Sequence, residues 1–217
     1  MKNKVLKAIV ATILIIVITM ADFEASIVLA GVGGQGTLIA GKLLGILSLK
    51  LGLDVKVSEV HGMSQRGGSV ITYVKIGKEV HSPIIEEGTA DFLLSFEEVE
   101  SIRWANLLKK DGVMIINSQK IKSLPVLLGQ VKYPEGIYAS LENSAIDDTK
   151  VIEFDALALA NEAGTAKAVN MVMLGALSKY FGVDDKIWQE SIEEAFANKP
   201  KVIPTNIKAF ELGKENA

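Results

Sequence analysis

Ser26-Ile-Val-Leu-Ala-Gly-Val-Gly-Gly-Gln-Gly-Thr-Leu-Ile-Ala-Gly-Lys-Leu-Leu44 is the stretch whose reading decides the fold. It begins with a short apolar run, 27–30, the size of a buried strand. Four glycines follow in six positions: Gly31, Gly33, Gly34 and Gly36. Leu38, Ile39, Leu43, Leu44 and Leu47 then share roughly one face of a helix. A G-x-G-x-x-G match gains meaning only between a strand and a helix, and Gly31, Gly33 and Gly36 fill its positions there. Glycine turns the chain sharply and lets the backbone come close to a ligand. The helix behind it opens with free N–H groups and a positive dipole end, a setting for a phosphate. The same glycines would also serve a turn that only packs helix on strand.

Gly52 suits the residue just past this helix, and 54–60 reads as a second strand. Glu59 lies 23 residues beyond Gly36, where a dinucleotide fold places a ribose-binding acid. A strand-end carboxylate facing water reads equally well. A polar loop follows, His61-Gly-Met-Ser-Gln-Arg-Gly-Gly68. Gly62, Gly67 and Gly68 hinge it, and Ser64, Gln65 and Arg66 supply donors. Leaving the carboxyl end of the second strand, it shares an edge with the first glycine turn. Two such loops on one edge make a crevice for a phosphate-bearing ligand. The plainer reading is a solvated loop, with His61 structural.

Residues 69–76 alternate and are β-branched, so they form a strand, and Gly77-Lys78 turns it into a hairpin partner at 79–85. Strands are expected at 91–96, 113–117 and 150–154, with helices at 97–110, 155–163, 165–180, 186–197 and 205–212. Asn170 is the polar residue nearest the middle of the long apolar helix. Between 120 and 149 only a loop or short strand around 136–139 is expected. The fold class is therefore α/β: a single domain with an open, Rossmann-like, mostly parallel sheet and an antiparallel hairpin insertion.

Composition narrows the function. A net charge of −3 argues against an electrostatic nucleic-acid binder. The chain has no cysteine, so it supplies no thiolate to a cluster, a disulfide or catalysis, and two histidines are too few for a histidine-rich metal site. Residues 1–21 stand apart from the domain at 22–217: three lysines precede an uncharged run of 14 residues, 8–21. That run is shorter than the ~20 residues a membrane-spanning helix needs. Translation from an upstream start, the protein proper beginning at Met20, is the favoured reading. A signal or membrane anchor and an ordinary helix are the others.

The two glycine stretches, Gly31-Val-Gly-Gly-Gln-Gly36 and Ser58-Glu-Val-His-Gly-Met-Ser-Gln-Arg-Gly-Gly-Ser69, together resemble the gamma-type domain of the 2-oxoacid:ferredoxin oxidoreductases. Ser82-Pro-Ile-Ile-Glu-Glu-Gly88 and Asn170-Met-Val-Met-Leu-Gly-Ala-Leu177 extend the likeness, which covers about 24–212; the N-terminal run departs from it. The resemblance implies one subunit of a cytoplasmic enzyme that oxidises an aryl 2-oxoacid with coenzyme A, giving an acyl-CoA and CO2 and reducing ferredoxin. It also implies a large (alpha) partner subunit holding thiamine diphosphate with Mg and [4Fe-4S] clusters, in a hetero-oligomer such as α2β2. By the same resemblance Gly31, Gly33, Gly34 and Gly36 shape one loop of a shared coenzyme A site, and His61, Ser64, Gln65, Arg66, Gly67 and Gly68 the other. No catalytic residue and no metal are expected on this chain. Pyruvate, 2-ketoisovalerate and 2-oxoglutarate enzymes are close variants. Two other classes compete: a standalone NAD-dependent dehydrogenase with Glu59 on the ribose and His61 as acid/base, and a membrane-tethered binding module.

Overall fold

The computed structural model describes residues 23–61, 68–143 and 149–217. Its frame is a six-stranded sheet in the order β2-β3-β1-β4-β5-β6. The strands are β1 Ala25–Val32, β2 Asp54–His61, β3 Ser69–Gly77, β4 Ala90–Ser95, β5 Leu108–Asn117 and β6 Lys150–Phe154. β1, β4, β5 and β6 pair in parallel, and β3 runs antiparallel to both β1 and β2. Five strands therefore point one way and β3 alone points the other.

The antiparallel insertion is real, but its partners differ from those expected. β3 pairs with β2 across the polar loop and with β1 on its other side, so both of its edges are taken. Segment 79–85 has no free edge to join and runs as coil past Pro83. The 97–110 helix is also shorter than its pattern suggests. α2, Glu98–Arg103, gives way to one 3-10 turn, Ala105–Leu107, and β5 begins at Leu108. The Asp111-Gly112 turn is a bulge inside β5, with Asp111 at φ 61°. A short helix, α3 Leu124–Leu127, precedes residues 137–139, which start a helix rather than a strand: α4, Ile137–Asn143, buries Ile137 and Leu141 one turn apart.

The two faces of the sheet are covered unequally. One carries α1 Thr37–Lys50, α5 Ala156–Ala163, α6 Val169–Ser178, α7 Asp185–Ala195 and α8 Ile203–Asn216. Leu43, Leu44 and Leu47 of α1 pack with Ile27 and Leu29 of β1, and Trp188 of α7 completes the layer. An aromatic chain, Phe23–Phe181–Trp188–Phe210, crosses it with centroids 5.3, 5.7 and 5.3 Å apart. The opposite face holds a smaller core of Val28, Ala30, Ile71, Leu93, Met114 and Ile116, covered by the 3-10 turn, α4 and Ile85. β1 is buried on both faces, which is why it reads as a continuous apolar run. Among the described residues no helix is long and apolar enough to cross a membrane; the apolar run at 8–21 lies outside them.

Candidate functional site

The glycine turn closes β1 at the carboxyl edge of the sheet. Gly34 and Gly36 take φ of 102° and 84°, values only glycine adopts without strain. Among the described residues no side chain caps α1, and its first turn carries no acid, so its positive end suits an anion. The polar loop enters β3 on the same edge. Gly33 N–H donates to the Gly68 carbonyl at 3.1 Å, joining the two glycine stretches directly. Ser69 Oγ donates to Glu100 Oε2 at 2.5 Å, and that buried carboxylate also accepts from Trp104 Nε1 at 3.1 Å.

Beside the turn lies a cleft of about 490 Å³. Gly33, Gly34 and Gly36 form one wall, Gln119 and Ile121 a second, and Lys167 and Asn170 a third. Asn170 is buried and donates to the Gly36 carbonyl at 3.4 Å. It stands second in α6, not in the middle of the helix, because Ala166–Ala168 form a separate 3-10 turn.

Gln35 explains the first glycine of the motif. Its Oε1 accepts from Val32 N–H at 2.9 Å, and its Nε2 donates to the Phe96 carbonyl at 2.6 Å and Gln119 Oε1 at 3.2 Å. A Cβ on Gly31 would sit 2.9 Å from Gln35 Oε1, so Gly31 makes room for this amide rather than for a ligand. Asn117 repeats the pattern: its Oδ1 accepts from Ala156 N–H at 3.1 Å, and its Nδ2 points at the Phe96 carbonyl and Gln119 Oε1. Two backbone N–H groups thus orient three amides. Gln119 Oε1 is committed as an acceptor, and its own NH2 is left as donor to the cleft it lines. Gln35→Leu is expected to cost about 2 kcal/mol by stranding these buried partners, read as a lower denaturation midpoint at unchanged slope.

The dinucleotide geometry is absent. β3 occupies the place beside β1 where such a fold puts its second parallel strand. Glu59 consequently sits two strands from the glycine turn, roughly 9–10 Å across the sheet. Its Oε2 accepts from the buried Thr72 hydroxyl at 3.4 Å. His61 ends β2, its backbone paired with Val70. Ser64, Gln65, Arg66 and Gly67 lie outside the described residues, as does Gly62.

Glu97, Gln119 and Lys167 were not legible as site-building residues. Glu97 is 1 % exposed and caps α2, accepting from Val99 and Glu100 N–H. Its other oxygen accepts from Ile121 N–H at 3.0 Å and Tyr133 Oη at 2.6 Å. Burial first, then the Glu97 carboxylate, pushes the Tyr133 phenol well above its ordinary value. Glu153 is raised by burial and by nearby Glu98, and Lys120 partly offsets this. Among the described residues the cleft's lining offers donors and apolar walls but no carboxylate, imidazole or thiol, a set suited to holding a ligand. Among the described residues no group of three His, Asp or Glu is placed to hold a metal ion.

Residues 26–216 match the family described as Pyruvate ferredoxin/flavodoxin oxidoreductase. The chain belongs to this family. It is 43 % identical over 198 residues to Indolepyruvate oxidoreductase subunit IorB of Thermococcus kodakarensis, covering 89 % of this chain and 96 % of that one. The subunit of the same name from Pyrococcus horikoshii gives the same identity and coverage. The fold also matches the crystal structure of a keto/oxoacid ferredoxin oxidoreductase gamma subunit from Geobacter sulfurreducens, with TM-score 0.64, 24 % identity, and 89 % and 98 % of the two chains covered. Family membership makes this chain an oxidoreductase subunit, as the paired glycine stretches implied.

Proposed function

We propose that this chain is the small subunit of a cytoplasmic indolepyruvate ferredoxin oxidoreductase. The observation that carries the substrate class is the 43 % identity, over nearly the whole of both chains, to subunits of that name. In this reading the large subunit supplies thiamine diphosphate, Mg and [4Fe-4S] clusters, since this chain has no cysteine to hold a cluster. Turnover then converts an aryl 2-oxoacid and coenzyme A to acyl-CoA and CO2, with two electrons passing to ferredoxin. This chain's contribution is to bind and orient. The uncapped α1 terminus, the Gln119 amide and Lys167 together suit a phosphate of coenzyme A, with Ile39 and Ile121 as apolar walls. His61, Ser64, Gln65, Arg66 and Gly67 are proposed for the other side of the same site. The dehydrogenase alternative loses its ribose acid, because β3 separates Glu59 from the turn.

The test is anaerobic purification of the tagged chain from its own host. A larger, iron-bearing, thiamine-binding chain at constant stoichiometry, with arylpyruvate-dependent ferredoxin reduction, is expected. An iron-free chain purifying alone and titrating with NAD would overturn the proposal.

A further inference from the structure

The chain carries an excess of three negative charges, yet the segment after β5 is basic and greasy at once. Lys120, Lys122 and Lys132 border a second, shallow cleft of about 840 Å³, with Glu135 the acid on its lining. Lys120 pairs with the buried Glu98 at 3.2 Å. Lys122 and Lys132 make no ion pair among the described residues. Next to them Leu124, Leu127, Leu128 and Val131 are 67, 66, 63 and 54 % exposed. Four of the twelve large apolar side chains left exposed among the described residues therefore fall within eight positions, 124–131. Apolar side chains scattered singly need no explanation, whereas a cluster rimmed by like charges marks a contact surface.

The patch is held in shape from beneath. Glu97 ties the Ile121 backbone and the Tyr133 hydroxyl to the start of α2, and Lys120 lies 5.9 Å from the Tyr133 ring centroid. Segment 119–122 also forms a wall between two clefts: Gln119 and Ile121 line the glycine cleft, and Lys120 and Lys122 line the basic one. Whatever docks on the lysines is seated beside the glycine turn.

We infer that Lys122, Lys132 and the exposed leucines of 124–128 form the docking surface for an acidic-rimmed, apolar-centred face of the large partner subunit. The inference rests on the subunit reading above. A phosphate would use the lysines and leave four apolar side chains in water. A second copy of this chain on a two-fold axis would set lysine against lysine. A protein face with carboxylates around an apolar centre matches both features.

The experiment measures association of the purified full chain with the purified large subunit at several salt concentrations. The parent complex is expected to weaken as salt rises. Lys122→Glu/Lys132→Glu should weaken association about tenfold or more at low salt and flatten the salt dependence. Leu124→Ser/Leu127→Ser should weaken it with the salt slope retained. Both variants should melt with the parent, since all four side chains are exposed. A parent chain with no affinity for the large subunit would defeat the subunit reading itself. Parent-like binding by both double variants would overturn the patch alone. So would intact association with a raised Michaelis constant for coenzyme A, which would make the lysines an anion site, or self-association of the isolated chain abolished by the leucine variant.

Discussion

Gly175→Ala and Gly213→Ala are each expected to cost roughly 3 kcal/mol or more, the upper end for overpacking, and to lower the melting temperature by about 6–12 °C. The two glycines let α6 and α8 touch backbone to backbone. A Cβ on Gly175 would lie 1.9 Å from the Phe210 carbonyl, and one on Gly213 would lie 1.9 Å from the Val172 carbonyl. Neither obstacle is a side chain that could rotate away, so the helices must separate. Separation would open the layer where Trp188 packs on Phe210 at 5.3 Å. Gly45→Ala supplies the opposite sign: it lies within α1, nothing stands within 4 Å of its Cβ, and it should stabilise by roughly 0.5–1 kcal/mol. Thermal unfolding of the three variants side by side checks the argument, and melting of Gly175→Ala and Gly213→Ala within about 2 °C of the parent would refute it.

Gly36→Ala carries the second large effect, and it falls on function. A left-handed φ of 84° costs an alanine about 1–2 kcal/mol. Its Cβ would also meet Asn170 Nδ2 at 2.9 Å, and Asn170 is 2 % exposed with little room to retreat. The start of α1 and the wall of the cleft should shift together. In the proposed complex with the large subunit, the Michaelis constant for coenzyme A is expected to rise about tenfold, equivalent to about 1.4 kcal/mol of binding. Gly34→Ala is the control: φ is 102°, nothing lies within 4 Å, and only the backbone strain applies. Equal losses in the two variants would remove the Asn170 contact from the account. A coenzyme A dependence untouched by Gly36→Ala would remove the turn from that site.

The sheet was legible where burial on both faces leaves a plain record. β1, β4 and the second half of β5 are apolar runs of strand length, and the glycines after β1 mark its edge of the sheet. Reading failed where two structures share one pattern. Leu107 and Leu108 are both buried, the first in a 3-10 turn and the second at the start of β5, so the helical spacing continued past the true end at Arg103. The partner of β3 was misassigned because pairing depends on which edges remain free, a property of the assembled sheet and not of 69–85 alone. In the cleft, the glycines and Asn170 could be found from sequence, since each is out of place in an apolar strand or helix. Gln119 could not: an amide in a polar connection carries no local mark, and its role comes from Gln35 in the glycine turn and Asn117 at the end of β5 reaching it.

The place of β3 has a consequence for the order of assembly on the ribosome. β1, β2 and β3 are contiguous in sequence and form one half of the sheet, and β4, β5 and β6 form the other. The first half can zip together as soon as Gly77 has left the exit tunnel, with the β2–β3 hairpin closing first and then capturing β1. Until β4 has emerged in its turn, Ile27, Val28 and Leu29 then present an unpaired apolar edge at what becomes the centre of the sheet. That interval is when the nascent protein is most exposed to edge-to-edge aggregation. A translational pause that holds the chain with Gly77 outside the tunnel and Ala90 still inside it should therefore lower the soluble yield more than a pause placed after all of β5 has emerged.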